Sequence, residues 1–130
     1  LVKFATLEYY NGLAEALNKD EIFTKSGIST TMIYHVIDRK AEDGQDLAFF
    51  MKFEKGKVVE VRKAAPNEDA EFIYRAKYDD LVKIVKGELD AQAAMKSGQL
   101  KFKYFLFKAI RYKGALERLG QVAKGMVVDY

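Results

Sequence analysis

An α+β domain with five strands in a mostly antiparallel sheet is the fold class this sequence predicts, and three observations predict it. An amphipathic helical stretch opens the chain, three strand-like segments separated by tight turns follow, and Glu71 to Tyr104 reads as strand, two short helices and strand. At 130 residues the order suits one domain with one core, residues 1–130.

The elements follow in sequence. Phe4, Leu7, Tyr10, Leu13, Ala14 and Leu17 recur at steps of three and four and predict a helix over Phe4 to Leu17, weakly interrupted by Gly12. Lys19 to Lys25 adds a further turn before Gly27. Thr30 to Asp38 is rich in β-branched residues, and Leu47 to Phe53 places Leu47, Phe49, Met51 and Phe53 on one side against Ala48, Phe50 and Lys52. Glu42, Asp43 and Gly44 join these two strands as a hairpin. Glu54, Lys55 and Gly56 form a second turn into Lys57 to Lys63, where Val59 and Val61 are expected to face together. Ala65 to Asp69, with the only proline, Pro66, is a loop.

In the next strand Phe72, Tyr74 and Ala76 are expected to face inward and Ile73, Arg75 and Lys77 outward. Asp79 and Asp80 suit the positive end of a helix dipole, Leu81, Ile84 and Val85 give that helix its apolar face, and Gly87 ends it. Neither Lys77 nor Tyr78 is an effective side-chain cap for this helix. Asp90 caps a second helix, Ala91 to Ser97, which Gly98 closes. In Gln99 to Tyr104 the inward set is Leu100, Phe102 and Tyr104, with Lys101 and Lys103 outward. Phe105 to Met126 has helical character, but Gly114, Gly120 and Gly125 each weaken it by about 1 kcal/mol relative to Ala, so a kinked or mobile helix is expected.

Composition excludes several function classes. The chain has no cysteine, so disulfides, thiol nucleophiles and Cys-ligated metals are ruled out, and no metal or cofactor is expected. His35 has no second histidine to share a metal, and a structural role is expected for it; the inward face of its strand stays open, Ile33 and Ile37 competing with Met32, Tyr34 and Val36. Asp79 and Asp80 point about 100° apart on a helix, which disfavours a shared acid and base site. Neither GxGxxG, GxxxxGK nor GxSxG occurs, and no catalytic constellation emerges, so a non-enzyme is expected. No apolar run approaches the roughly 18 residues that cross a bilayer, Leu1 to Lys25 lacks a signal-peptide core, and no Ser-Lys-Leu address ends the chain. Starting at Leu1, the chain is expected to lack a few native residues, and a cytoplasmic, prokaryotic setting is expected.

Net charge is +3, but from Gln99 to Lys124 seven basic residues oppose Glu117 alone. This basic quarter admits a solvated surface, attraction to anionic membrane through Lys101, Lys103 and Lys108, or nucleic acid through Lys101 to Phe105. Nucleic acid is not expected, because Phe102 and Tyr104 belong to the inward face.

Phe72 and Tyr74, Asp79 and Asp80, Gly87, Asp90, Ala94, Gly98, Leu100 and Phe102 stand, without gaps from Ala70 to Tyr104, in the pattern of one family. The chain resembles the sterol carrier protein 2 sterol-binding domain, with Tyr104 where members commonly place glycine. The resemblance implies helices on one face of the sheet and an apolar tunnel between them that holds an acyl chain or sterol-like body noncovalently. Burial of about 25 cal/mol per Å² would drive such binding. Lipid binding, and transfer, is therefore the expected function, with an RNA-binding or scaffold domain as the alternative. The expected lining is Phe49, Met51, Phe72, Tyr74, Leu100, Phe102, Phe105 and Ile110, each of which also reads as ordinary core. The partner is a lipid or other apolar small molecule, and the chain is expected to be a monomer or homodimer.

Overall fold

The computed structural model describes residues 1–65 and 67–130; the expected loop residue Pro66 lies outside them. In chain order the elements are β1 (Val2–Lys3), α1 (Leu7–Lys19), α2 (Glu21–Lys25), β2 (Thr30–Lys40), β3 (Asp46–Glu54), β4 (Lys57–Lys63), β5 (Phe72–Ala76), α3 (Tyr78–Lys86), α4 (Ala91–Ser97), β6 (Leu100–Lys103), α5 (Leu106–Arg111), α6 (Lys113–Lys124) and β7 (Val128–Asp129). The main sheet has the order β4-β3-β2-β5-β6. Its neighbours are antiparallel except β2 and β5, which run parallel. That single parallel pairing requires the chain to cross the sheet between β4 and β5. The main helices cover the inner face.

The first helix is shorter than its apolar spacing predicts. Ala5 has φ of 57°, which breaks the helical path, and Thr6 then caps α1, its Oγ1 accepting from the Tyr9 N–H at 3.1 Å. Phe4 instead joins an aromatic group with Tyr9, Tyr78 and Tyr130. The residues before it pair in parallel with β7, so the two ends of the chain form a separate two-stranded sheet. At the other end of α1, the Asn18 amide donates to the Val58 carbonyl at 3.1 Å and accepts from the Val58 N–H at 2.7 Å.

The expected pairing of Val59 with Val61 on one face is corrected by a bulge. Phe53 partners Val58 and Lys52 partners Glu60, leaving Val59 as the extra residue. Val58 is buried and Val59 is exposed. The turn before it has Lys55 at φ 48° and Gly56 at φ 83°. A Cβ on Gly56 would stand 2.1 Å from the Thr24 carbonyl oxygen, so sterics and backbone conformation both demand glycine.

Gly87 and Gly98 close α3 and α4 in the left-handed conformation, and Asp90 accepts from the Ala93 N–H at 3.0 Å. Lys77 provides no side-chain cap for α3. A residue from another element does so: Asp38 Oδ1, near the end of β2, accepts from the Tyr78 N–H at 2.8 Å. The C-terminal segment is two helices that part at Tyr112, rather than one helix kinked at a glycine. Ala115, Leu119 and Ala123 bury the inner side of α6. Arg118 binds Asp20, the cap of α2, through Nε at 3.0 Å and Nη2 at 2.7 Å. Among the described residues no helix is long and apolar enough to cross a membrane.

Candidate functional site

Strand register decides which side chains meet beneath the helices. On the inner face Phe49, Tyr34, Tyr74 and Phe102 are directly opposite one another across β3, β2, β5 and β6. Their rings form a nearly continuous floor: Tyr34 and Tyr74 stack at 4.9 Å and 5°, Tyr74 and Phe102 at 4.6 Å and 28°. Tyr10, reaching down from α1, stacks on both Tyr34 (5.2 Å) and Phe49 (4.7 Å). A neighbouring row, Met51, Met32 and Phe72, is completely buried.

Above this floor lies a cavity of about 220 Å³. Tyr34, Tyr74 and Leu100 line it from the sheet, Phe4, Tyr9, Tyr10 and Leu13 from the N-terminal segment. Leu81, Ile84, Val85 and Ala91 close it from α3 and α4, and Leu116, Leu119, Gly120 and Ala123 from α6. Ala91 and Gly120 are exposed and mark its opening between α4 and α6.

The walls are apolar, but three phenols give the interior a polar element. Among the described residues, hydroxyl hydrogen bonds are made by Tyr34 and Tyr78 and not by Tyr9, Tyr10 or Tyr74, and no fully buried side-chain nitrogen or oxygen lacks a partner. Tyr9 and Tyr10 are only 1% and 2% exposed, and both line the cavity. Tyr34 differs, its hydroxyl approaching the Met32 sulfur at 3.7 Å. Burial pushes the Tyr10 phenol well above its ordinary range, with Tyr9 adding to the effect. Burial does the same to Tyr34, reinforced by Tyr74 and Tyr10, and to Tyr74 and Tyr9. The phenols therefore stay neutral and able to donate.

Of the residues expected to line a tunnel, Tyr74 and Leu100 line this cavity. Phe49 and Phe102 belong to the aromatic row beside them, while Met51 and Phe72 pack in the deeper row. Phe105 and Ile110 lie outside it, on the surface, 44% and 69% exposed. Sequence reasoning missed Tyr34, since the alternation around His35 did not show which face of β2 is inward. It also missed Tyr9, which departs from the spacing used to define the helix face, and the contributions of α3 and α6. The apolar faces of those two helices were the available signal.

The opposite face of the sheet is of another kind. His35 points there, its Nε2 2.7 Å from Asp46 Oδ2, and Lys40 pairs with the other oxygen of the same carboxylate. Together with Gln45, Glu68 and Arg75 they border an open, polar concavity of about 370 Å³. Its charged rim suits an apolar ligand less well than the smaller inner cavity does. Ile33, Phe50, Ala70 and Ile73 form a minor apolar cluster under the crossover. Among the described residues no grouping of three His, Cys, Asp or Glu side chains could hold a metal. Of the three lysines expected to reach a membrane, Lys103 pairs with Asp69 and Lys108 with Glu71, whereas Lys101 is exposed.

The model of the SCP-2 sterol transfer family matches residues 30–117. A crystal structure of sterol carrier protein 2 superposes with a TM-score of 0.78 at 18% identity, covering 96% of this chain and all of the other. A conserved hypothetical protein from Thermus thermophilus gives 0.76 at 17% identity, covering 99% of this chain and 93% of its own. A sterol carrier protein domain of Helicoverpa armigera gives 0.67 at 20% identity, covering 98% and 94%. At these identities the likeness is one of fold. No curated protein matches the sequence.

Proposed function

The chain belongs to the SCP-2 sterol transfer family, and from that premise we propose that it binds a lipid or other apolar molecule noncovalently in the cavity between α1, α3, α6 and the sheet, and transfers it. The observation that carries the reading is an apolar space bounded by α1, α3, α4, α6 and the sheet, with its opening at Ala91 and Gly120. Burial of hydrocarbon supplies the affinity, and no covalent chemistry is required.

The cavity also limits the ligand. Its 220 Å³ lies below the roughly 300–1,000 Å³ typical of sites for drug-sized ligands. A short or slender apolar body fits whole; a long acyl chain or a sterol projects through the opening or spreads α6 from the sheet. The free hydroxyls of Tyr9, Tyr10 and Tyr74 favour a ligand with one hydrogen-bond acceptor at its inner end over pure hydrocarbon.

Gly120 supplies the test. A Cβ there meets nothing within 4 Å, its backbone is helical, and it lies at the opening. Gly120→Leu is expected to keep or raise thermal stability, since leucine is the better helix former by up to about 1 kcal/mol. The same change should reduce binding of a fluorescent fatty acid by about tenfold, the order of effect of excluding a few buried methylenes. Undiminished binding by a folded Gly120→Leu protein would remove the cavity from consideration.

A further inference from the structure

Helix α5 has six residues and buries none of them. Leu106, Phe107 and Ile110 are 59%, 80% and 69% exposed. A helix this short does not persist in water on its own hydrogen bonds. Its tether is Lys108, whose Nζ donates to the Ser29 carbonyl at 2.9 Å and to Glu71 Oε1 at 2.7 Å. That bond turns Lys108 toward the sheet and leaves the three large apolar side chains facing outward. So many apolar groups on one turn of surface mark a contact site rather than incidental exposure.

The charge beside this turn selects the partner. Asp69 and Glu71 are already engaged by Lys103 and Lys108, and among the described residues Glu117, four residues beyond Lys113 on α6, is the free acid nearest the segment, one carboxylate beside two free cations. Arg111 lies over the Tyr112 ring at 5.2 Å, and among the described residues neither it nor exposed Lys113 pairs with a carboxylate. A second copy is the poorer occupant, because an isologous contact sets the same patch against itself, and there two free cations from each chain find a single free acid, Glu117. We propose that α5 is a membrane-docking element: Leu106, Phe107 and Ile110 enter the interface of an anionic bilayer while Arg111 and Lys113 meet lipid phosphates. The surface is distinct from the cavity, so docking and ligand uptake are separate measurements.

The chain contains no tryptophan, which makes Phe107→Trp a reporter without background. Its fluorescence is expected to shift to the blue on adding vesicles of phosphatidylcholine with phosphatidylglycerol, and to shift much less with phosphatidylcholine alone. In a sedimentation assay, Leu106→Ser with Phe107→Ser and Ile110→Ser should lower partitioning onto the mixed vesicles by about tenfold or more. No shift with the anionic vesicles overturns the proposal, as does a shift that grows with protein concentration in the absence of lipid. An equal shift with both vesicle types overturns the role of Arg111 and Lys113. The reporter leaves the apolar face essentially intact, so its result stands even where the triple serine variant folds poorly.

Discussion

Across the inner face of the sheet the row Phe49, Tyr34, Tyr74, Phe102 is aromatic throughout; on the outer face the adjacent row is Ala48, His35, Arg75, Lys101. The two rows share the same strands and nearly the same backbone, and differ in what covers them. Helices cover the first, and the second has only the crossover loop and solvent. Arg75 and Lys101 are direct cross-strand partners of like charge, an arrangement that weakens a sheet. The inner face must therefore provide most of the stability, even though it also borders a cavity.

Truncation on each face tests this division and carries the largest expected effect. Phe72 is fully buried in the deeper inner row, and Phe72→Ala should cost about 4 kcal/mol in urea unfolding. Its neighbour Ile73 is almost as buried, yet belongs to the small cluster under the crossover. There the loop can settle into the space, so Ile73→Ala should cost nearer to about 2 kcal/mol. An Ile73→Ala loss equal to that of Phe72→Ala would mean that the outer cluster is a second core of comparable weight.

The same contrast contributes to both limbs of the pH profile. On the outer face, hydrogen bonds from Lys40 and then His35 hold the Asp46 carboxyl below its ordinary range, and Arg62 does the same for Glu68. A depressed folded value gives stability that is present above the unfolded value, about 4 for these carboxyls, and lost as pH falls through the folded one. Lys40→Ala should flatten this acid limb. On the inner face burial raises the Tyr10 and Tyr34 phenols. Their contribution is complete below the unfolded value of about 10 and is lost as pH rises toward the folded values. Tyr10→Phe with Tyr34→Phe should reduce the alkaline loss and leave the acid limb alone. Melting curves across pH check both; a tyrosine effect on the acid limb would break the separation.

How much of this was legible in the sequence depended on the range of the interaction concerned. The alternation of β3 and β5, the glycine stops at Gly87 and Gly98 and the Asp90 cap are local, and each is found where local chemistry places it. The family pattern from Ala70 to Tyr104 extended those local signals into a fold. What depended on distant partners was harder to read. Ala5 leaves the helix because Phe4 finds an aromatic group that includes Tyr130, and Val59 bulges beside a strand edge bonded by Asn18. For the cavity, alternation placed Tyr74 and Leu100 inward, but choosing lining from supporting core required the positions of α3 and α6. Phe105 and Ile110 were drawn into the expected lining by the family resemblance and their apolarity, and neither tells whether that segment packs inward or outward.

The smallest expected effect lies where the two faces meet the helix layer. Asp38 lies near the end of β2, and its carboxylate accepts from the first N–H of α3, a helix whose own cap residue, Lys77, offers no acceptor. That helix supplies Leu81, Ile84 and Val85 to the cavity wall. Removing the acceptor by Asp38→Ala should cost about 1 kcal/mol, as for other lost caps. Because the first turn of α3 would loosen while the sheet stays intact, amide exchange at Tyr78 to Leu81 should quicken and that at Phe72 to Ala76 should not. Asp38→Asn, which keeps an acceptor oxygen, should restore most of the protection. Equal acceleration in β5 would show instead that Asp38 holds the strand and the helix as one unit, joining the two regions that the sheet otherwise keeps apart.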